Sequence, residues 1–222
     1  MFVKHKSLLF LFTVIFILTA CANADNNDNQ NSPNNSTSES ENSQEENTPQ
    51  DDDIDGTMWG EDGDIGVILS HGAVYDADSW KEQGEQLAEE GMVAFAVEDT
   101  DPETLIAAAN ILEEEQGVGK IVIIGASAGG GTAIEAVNKA EVDFDRVILL
   151  SPGGDATSIA NIPVLAIYSE EEGFEELEEA AETTDNLEAI SIPGSAHAQE
   201  LFQDDEKAEQ VMEEMINFIN EE

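Results

Sequence analysis

The chain of 222 residues contains one cysteine, Cys21, so no intramolecular disulfide can form and the fold must rest on packing alone. Basic residues are also scarce: seven Lys and Arg face 50 Asp and Glu, for a formal net charge of −43. A surface of that sign repels a phosphate backbone, which excludes a nucleic-acid role. Histidines number three, His5, His71 and His197. With so few imidazoles, far apart, and a single thiol, no metal site is expected. The glycine spacing of a dinucleotide fingerprint and the Gly-Lys-Ser/Thr of a phosphate loop are both missing, so no cofactor is expected either. No internal repeat is visible.

Long apolar runs are absent except at the start, where MFVKHKSLLFLFTVIFILTA sets Lys4 and Lys6 ahead of an unbroken apolar stretch. That stretch is short for a bilayer span and reads as a secretory signal over residues 1–20. It ends in LTAC, which resembles the lipobox of bacterial lipoproteins, and the resemblance implies lipidation at Cys21. The expected location is extracytoplasmic, with the protein held to the membrane through that lipid. Residues 21–56, rich in Asn, Asp, Ser, Glu and Gln, have too little apolar surface to offset chain entropy and read as an acidic, polar, disordered tether. Residues 57–222 are then the folded domain, long enough for a core of its own. The acidity also predicts a salt requirement, because charges that repel in dilute buffer are screened over about 3 Å at 1 M salt.

Within that domain, short β-branched runs alternate with helical patterns. The runs are 65–70, 93–98, 120–126, 146–151, 163–169 and 187–192. They are apolar without alternation, as in strands buried on both faces. The helical patterns span 78–90, 102–116, 130–140, 174–183 and 199–220. Leu201, Val211, Met215 and Phe218 form the inner stripe expected of the last. The fold class expected is α/β: a doubly wound, mainly parallel six-stranded sheet with helices on both faces.

The stretch KIVIIGASAGGG places Ser127 between Gly125 and Gly129, after one apolar run and ahead of an amphipathic segment. A strand-to-helix turn this tight strains the serine backbone and projects its hydroxyl, which makes Ser127 the candidate nucleophile. A hydroxyl needs a base. His197, just past the last strand run, is the candidate base, and His71 at the end of the first strand run is the candidate brace for the loop His71-Gly72-Ala73. The amides of Ala73 and Ala128 are the candidate oxyanion donors. Tyr75, Trp80 and Tyr168 are read as packing residues before substrate contacts.

Taken together, HGA at 71–73, GASAG at 125–129, PVLAIYSEEE at 163–172 and PGSAH at 193–197 resemble the α/β-hydrolase superfamily, and within it the small lidless dienelactone hydrolases and short-chain esterases. The resemblance implies a trimmed hydrolase fold without a cap domain, and a serine-acid-histidine chain order. Where the family commonly has Gly and then Asp three residues later, this chain has Ser169 and Glu172. Glu172 is therefore the acid that the resemblance implies, with Glu171 as the alternative. The implied activity is hydrolysis of small carboxylic esters or lactones through an acyl-enzyme, with the small-molecule substrate as partner. A catalytically silent surface binding module, and a serine peptidase or acyltransferase of the same fold, are the other readings. Oligomeric state is not legible.

Overall fold

The structure is a computed structural model that describes residues 54–140 and 142–221. The signal, Cys21 and nearly all of the tether lie outside the described residues. Among the described residues no helix is long and apolar enough to cross a membrane.

Seven strands among the described residues form one sheet: β1 (Gly56–Trp59), β2 (Ile65–Ser70), β3 (Val93–Val97), β4 (Lys120–Ala126), β5 (Arg146–Leu150), β6 (Val164–Ser169) and β7 (Leu187–Ile192). Their spatial order is β1-β3-β2-β4-β5-β6-β7, and every pairing is parallel except β1 with β3. Six of these match the expected runs, and β1 is the addition. Its four residues are too few for a sequence pattern, yet they pair with all of Ala94–Val97 along the sheet edge. Trp59 also packs so closely on Gly84 that a Cβ there would lie 2.2 Å from the indole. Just ahead of β1, Ile54 packs against the core and Asp55 O accepts from Glu98 N–H at 2.9 Å.

Five α-helices among the described residues cover the sheet: α1 (Lys81–Glu89), α2 (Pro102–Glu114), α3 (Ala128–Lys139), α4 (Glu175–Ala181) and α5 (Asp205–Asn220). Side chains alternate along the strands between two cores. Val67, Leu69, Val122, Ile124, Ile148 and Leu150 pack with Leu87 of α1 and Val211, Met215 and Phe218 of α5. Ile68, Ile121, Ile123, Val147 and Leu149 face the other way, against α2, α3 and the apolar side of α4. Each fully buried aliphatic side chain contributes about 1.5–3 kcal/mol, so a sheet covered on both faces supplies the core that the disulfide-free chain needs.

The last helical pattern is split. Ala198–Gln203 forms a 3-10 turn, and α5 starts afresh behind Asp204, whose side chain accepts from Lys207 N–H at 3.2 Å. The new cap satisfies a free amide and lets the chain turn away from the site before α5 packs. Leu201 is buried on the turn, while Val211, Met215 and Phe218 are buried on α5. Between β5 and β6 only one 3-10 turn, Ala156–Ser158, intervenes, so this connection places no cap over the carboxyl ends of the strands.

Candidate active site

Ser127 ends β4 and heads α3 with φ 50° and ψ −114°, a conformation that L residues rarely adopt. Local hydrogen bonds hold it there. Its N–H donates to Leu150 O at 2.9 Å, and its carbonyl accepts from Gly130, Gly131 and Gly153 N–H at 2.9–3.2 Å. The flanking glycines have steric reasons. A Cβ on Gly129 would lie 2.5 Å from the carbonyls of Ser70 and His71, and one on Gly125 would lie 2.6 Å from Gly129 O. The strand and the helix can approach only where no side chain stands between them.

β4 lies between β2 and β5, so the loops following these strands meet above the sheet. His197 Nε2 is 2.8 Å from Ser127 Oγ, a distance at which the hydroxyl donates to the ring. The other ring nitrogen, Nδ1, donates to Glu172 Oε1 at 2.6 Å. Residues 70 and 25 positions apart in sequence from His197 are thus hydrogen-bonded in one row. The 3-10 turn Glu170–Glu172 separates the two glutamates in space. It directs Glu172 inward, with its side chain 10% exposed, and leaves Glu171 outside.

Two residues that sequence reasoning missed complete the arrangement. Ser151, buried and at φ 42°, donates its hydroxyl to Glu172 Oε2 at 2.7 Å and accepts from Ala198 N–H at 3.0 Å. The Ser169 amide donates to the same carboxylate oxygen at 2.7 Å. Gln199, also buried, accepts from Gly72 N–H at 2.8 Å. Ser151 follows the apolar run Val147–Leu150, a weak signal of a buried hydroxyl, whereas Gln199 stands beside Glu200 and offers no sequence signal. The histidine segment is held further by Glu200, whose carboxylate accepts from His197 N–H at 3.0 Å, and by Ser169, whose hydroxyl donates to Ala196 O at 2.6 Å.

The loop after β2 forms the opposite wall. His71 sets Nδ1 2.9 Å from Gly72 O and Nε2 3.1 Å from Glu98 O, so its ring bridges the ends of β2 and β3 and lies away from the Ser127–His197 pair. Gly72 to Tyr75 and His197 to Glu200 border a small cleft of about 180 Å³ that contains Ser127. Val74, 89% exposed, stands at its rim. Ala73 and Ala128 are exposed beside Ser127, and the amide of Ala128 begins α3, where the helix dipole favours negative charge. A larger cleft of about 560 Å³ lies between Pro152 and Leu177, but none of Ser127, His197 and Glu172 lines it. Of the three aromatic residues singled out, Tyr75 borders the small cleft. Trp80 and Tyr168 are in the core, the first edge-on to Phe202 and the second tilted on Phe174.

A family model described as "Alpha/beta hydrolase family" matches residues 66–211, from the strand that leads to His71 into α5. The chain belongs to the alpha/beta hydrolase family. Solved structures give the same fold at low identity. An esterase of Thermogutta terrifontis, with butyrate bound, shares 18% identity at a TM-score of 0.58, covering 73% of this chain and 87% of that one. A monoacylglycerol lipase of Paleococcus ferrophilus shares 14% identity at a TM-score of 0.59, covering 75% and 98%. A predicted CIB-like hydrolase of Thermoplasma acidophilum shares 18% at 0.55, covering 70% and 86%. No curated protein sequence matches. For a family member, seven strands with a single antiparallel edge strand make a trimmed sheet.

Proposed function

We propose that the protein is a serine hydrolase that cleaves small carboxylic esters or lactones by way of an acyl-enzyme. The observation that carries this reading is the continuous row Ser127 Oγ, His197 Nε2, His197 Nδ1, Glu172 Oε1, with separations of 2.8 and 2.6 Å across the ring. In the first step Ser127 Oγ attacks the carbonyl carbon as His197 Nε2 takes the hydroxyl proton. Glu172, accepting from Nδ1–H, holds the ring in the tautomer that leaves Nε2 free and stabilises the imidazolium that forms. The tetrahedral oxyanion is received by the amides of Ala73 and Ala128, each such donor being worth roughly 2.7–4 kcal/mol in the transition state. His197 then returns the proton to the leaving alcohol, and water repeats the sequence to release the acid.

The substrate class follows from the surroundings. The cleft beside Ser127 is small and mostly apolar, and no cap stands over it among the described residues, which suits short acyl groups and soluble leaving groups. The butyrate held by the Thermogutta esterase supports the same size range. A dienelactone-hydrolase-like preference, and a lipid at Cys21 that holds the enzyme on the outer side of a membrane, are further parts of the proposal. The second rests on LTAC and the apolar run before it.

The test is turnover of p-nitrophenyl acetate and labelling by a fluorophosphonate probe. Ser127→Ala should remove both while the melting temperature holds. A wild-type protein that neither turns over the ester nor takes the label would remove the hydrolase reading and leave a silent binding domain.

A further inference from the structure

Gln199 belongs to the segment that carries His197, but its side chain reaches the opposite wall of the cleft. It is 5% exposed, and its two polar atoms bond to residues 127 and 120 positions away. Oε1 accepts from Gly72 N–H at 2.8 Å, and Nε2 donates to Ser79 Oγ at 2.7 Å. Chemistry sets the sense of the amide at both ends. Gly72 N–H can only donate, so the atom facing it must be the oxygen. Ser79 commits its own proton to Asp76 O, so it must accept from Gln199.

Gln199 pins one of the two peptide planes around Gly72, and the turn pins the other. The plane before it is held through Gly72 N–H on Gln199, and the plane after it through Gly72 O, which accepts from Tyr75 N–H at 3.0 Å and faces His71 Nδ1 at 2.9 Å. In a trans peptide the C=O and the following N–H point opposite ways, so Ala73 N–H is turned away from that hydrogen-bonded turn. Gly72 itself lies against the nucleophile: a Cβ there would be 3.5 Å from Ser127 Cβ. The other side-chain ties are at the ends of the loop, where His71 Nε2 faces Glu98 O and Ala77 N–H donates to Glu98 Oε2, both at 3.1 Å, while Ala73 and Val74 between them are exposed.

We infer that Gln199 is a positioning residue for the oxyanion loop, coupling the segment that carries the base to the amide that receives the developing negative charge. This rests on the hydrolase reading of the site. Such a residue acts on the transition state and not on the bound ester, so its loss should lower kcat and leave KM in place.

Gln199→Met keeps the shape of the side chain and removes both hydrogen bonds, whereas Gln199→Glu keeps an acceptor for Gly72 N–H. With p-nitrophenyl acetate, kcat of Gln199→Met should fall about 10- to 100-fold with KM within about twofold. Gln199→Glu should recover most of kcat even where its melting temperature is the lower of the two, a split that a purely structural role would not produce. Amide exchange over residues 71–76, read by mass spectrometry, should quicken in Gln199→Met and less so in Gln199→Glu. If Gln199→Met does not fold, Ser79→Ala frees one end of the amide and should show the same pattern at smaller amplitude. Unchanged exchange in this loop, or an unchanged kcat in a folded Gln199→Met protein, would overturn the inference. Absence of Ser127-dependent turnover in the wild type would overturn the hydrolase reading and with it the catalytic half of this one. The exchange result tells the two failures apart, because it does not depend on activity.

Discussion

Ser151 donates its hydroxyl to the Glu172 carboxylate at 2.7 Å, from a backbone held at φ 42°. Ser151 Oγ also accepts from the amide of Ala198, a residue that is itself at φ 51°. Of the four non-glycine residues with positive φ among the described residues, Ser127, Ser151 and Ala198 meet at the candidate site, which is where strained backbone tends to collect. Removing the hydroxyl should leave Glu172 and the histidine segment less well held. For both Ser151→Ala and Ser151→Gly we expect kcat for a short ester to fall about 10- to 100-fold, since hydrogen bonds to a charged group are worth about 1.5–3 kcal/mol. Stability should separate the two variants. Glycine accepts a positive φ freely, so Ser151→Gly should melt above Ser151→Ala by the equivalent of about 1 kcal/mol. Equal kcat for wild type and both variants would show that the acid needs no such support.

The six strands from β2 to β7 were legible because each is an apolar run bounded by polar turns, a local signal that a parallel sheet imposes on both faces. Of β1 no more than a remnant near Thr57 to Trp59 was visible, since Gly56–Trp59 draws its order from pairing with β3, about forty residues on. The turn at Ser127 was legible for the same local reason as the strands: both glycines and the serine lie within five residues. Glu172 could be named through the family resemblance but not separated from Glu171, because the choice depends on one 3-10 turn after β6. Ser151 and Gln199 were beyond reach. Their partners lie 47 and 127 residues away for the Ala198 and Gly72 amides, and no local pattern records such a contact.

Asp101 caps α2 ahead of Pro102, with Oδ1 accepting from Thr104 N–H at 3.0 Å and Oδ2 from the Thr104 hydroxyl at 2.8 Å. Burial alone would raise its pKa, but the hydrogen bonds from Thr104 and Glu103 outweigh it, and the carboxyl is held below its ordinary value of 3.8. A lowered folded-state pKa gives stability that is present above the unfolded pKa and lost as pH falls through the folded one. Asp101→Ala should therefore cost about 1 kcal/mol near pH 7, and the gap to wild type should narrow as the pH drops below about 4. Asp101→Asn, an equally good cap, should keep most of the stability and lose that pH dependence. Urea midpoints at pH 7 and pH 3 measure both, and a gap independent of pH for Asp101→Ala would refute the assignment.

The hydroxyl of Tyr168 is buried with no hydrogen-bond partner among the described residues. Burial raises its pKa, and the charges of Glu178 and Glu175 push in the same direction. A lone buried hydroxyl is a cost that phenylalanine does not carry, and the ring contact with Phe174 survives the change. Tyr168→Phe should match or exceed wild type by up to about 1 kcal/mol, a rise of roughly 2–4 °C in melting temperature. A clear fall would mean that the hydroxyl has a partner after all.

Negative charge also crowds places where helix electrostatics oppose it. α1 runs into Glu89 and Glu90, and α2 into Glu113, Glu114 and Glu115, and neither has a basic residue in its last turn. A helix carboxyl end carries partial negative charge, so each of these glutamates is repelled by its own helix as well as by its neighbours. Few cations offset this. Lys81 and Lys139 pair with Glu85 and Glu135 at exposed sites, where an ion pair is worth little. Screening should relieve the repulsion first, before salt has much effect on apolar hydration, because the Debye length is already about 10 Å at 0.1 M. The melting temperature should therefore rise on the order of 5 °C between about 0.02 and 0.5 M NaCl. Glu114→Lys, which puts a favourable charge at the end of α2, should raise the low-salt midpoint and flatten the slope. Midpoints that do not move with salt, in the wild type or the variant, would show that the surface charge carries no stability cost and would remove the salt requirement expected from composition.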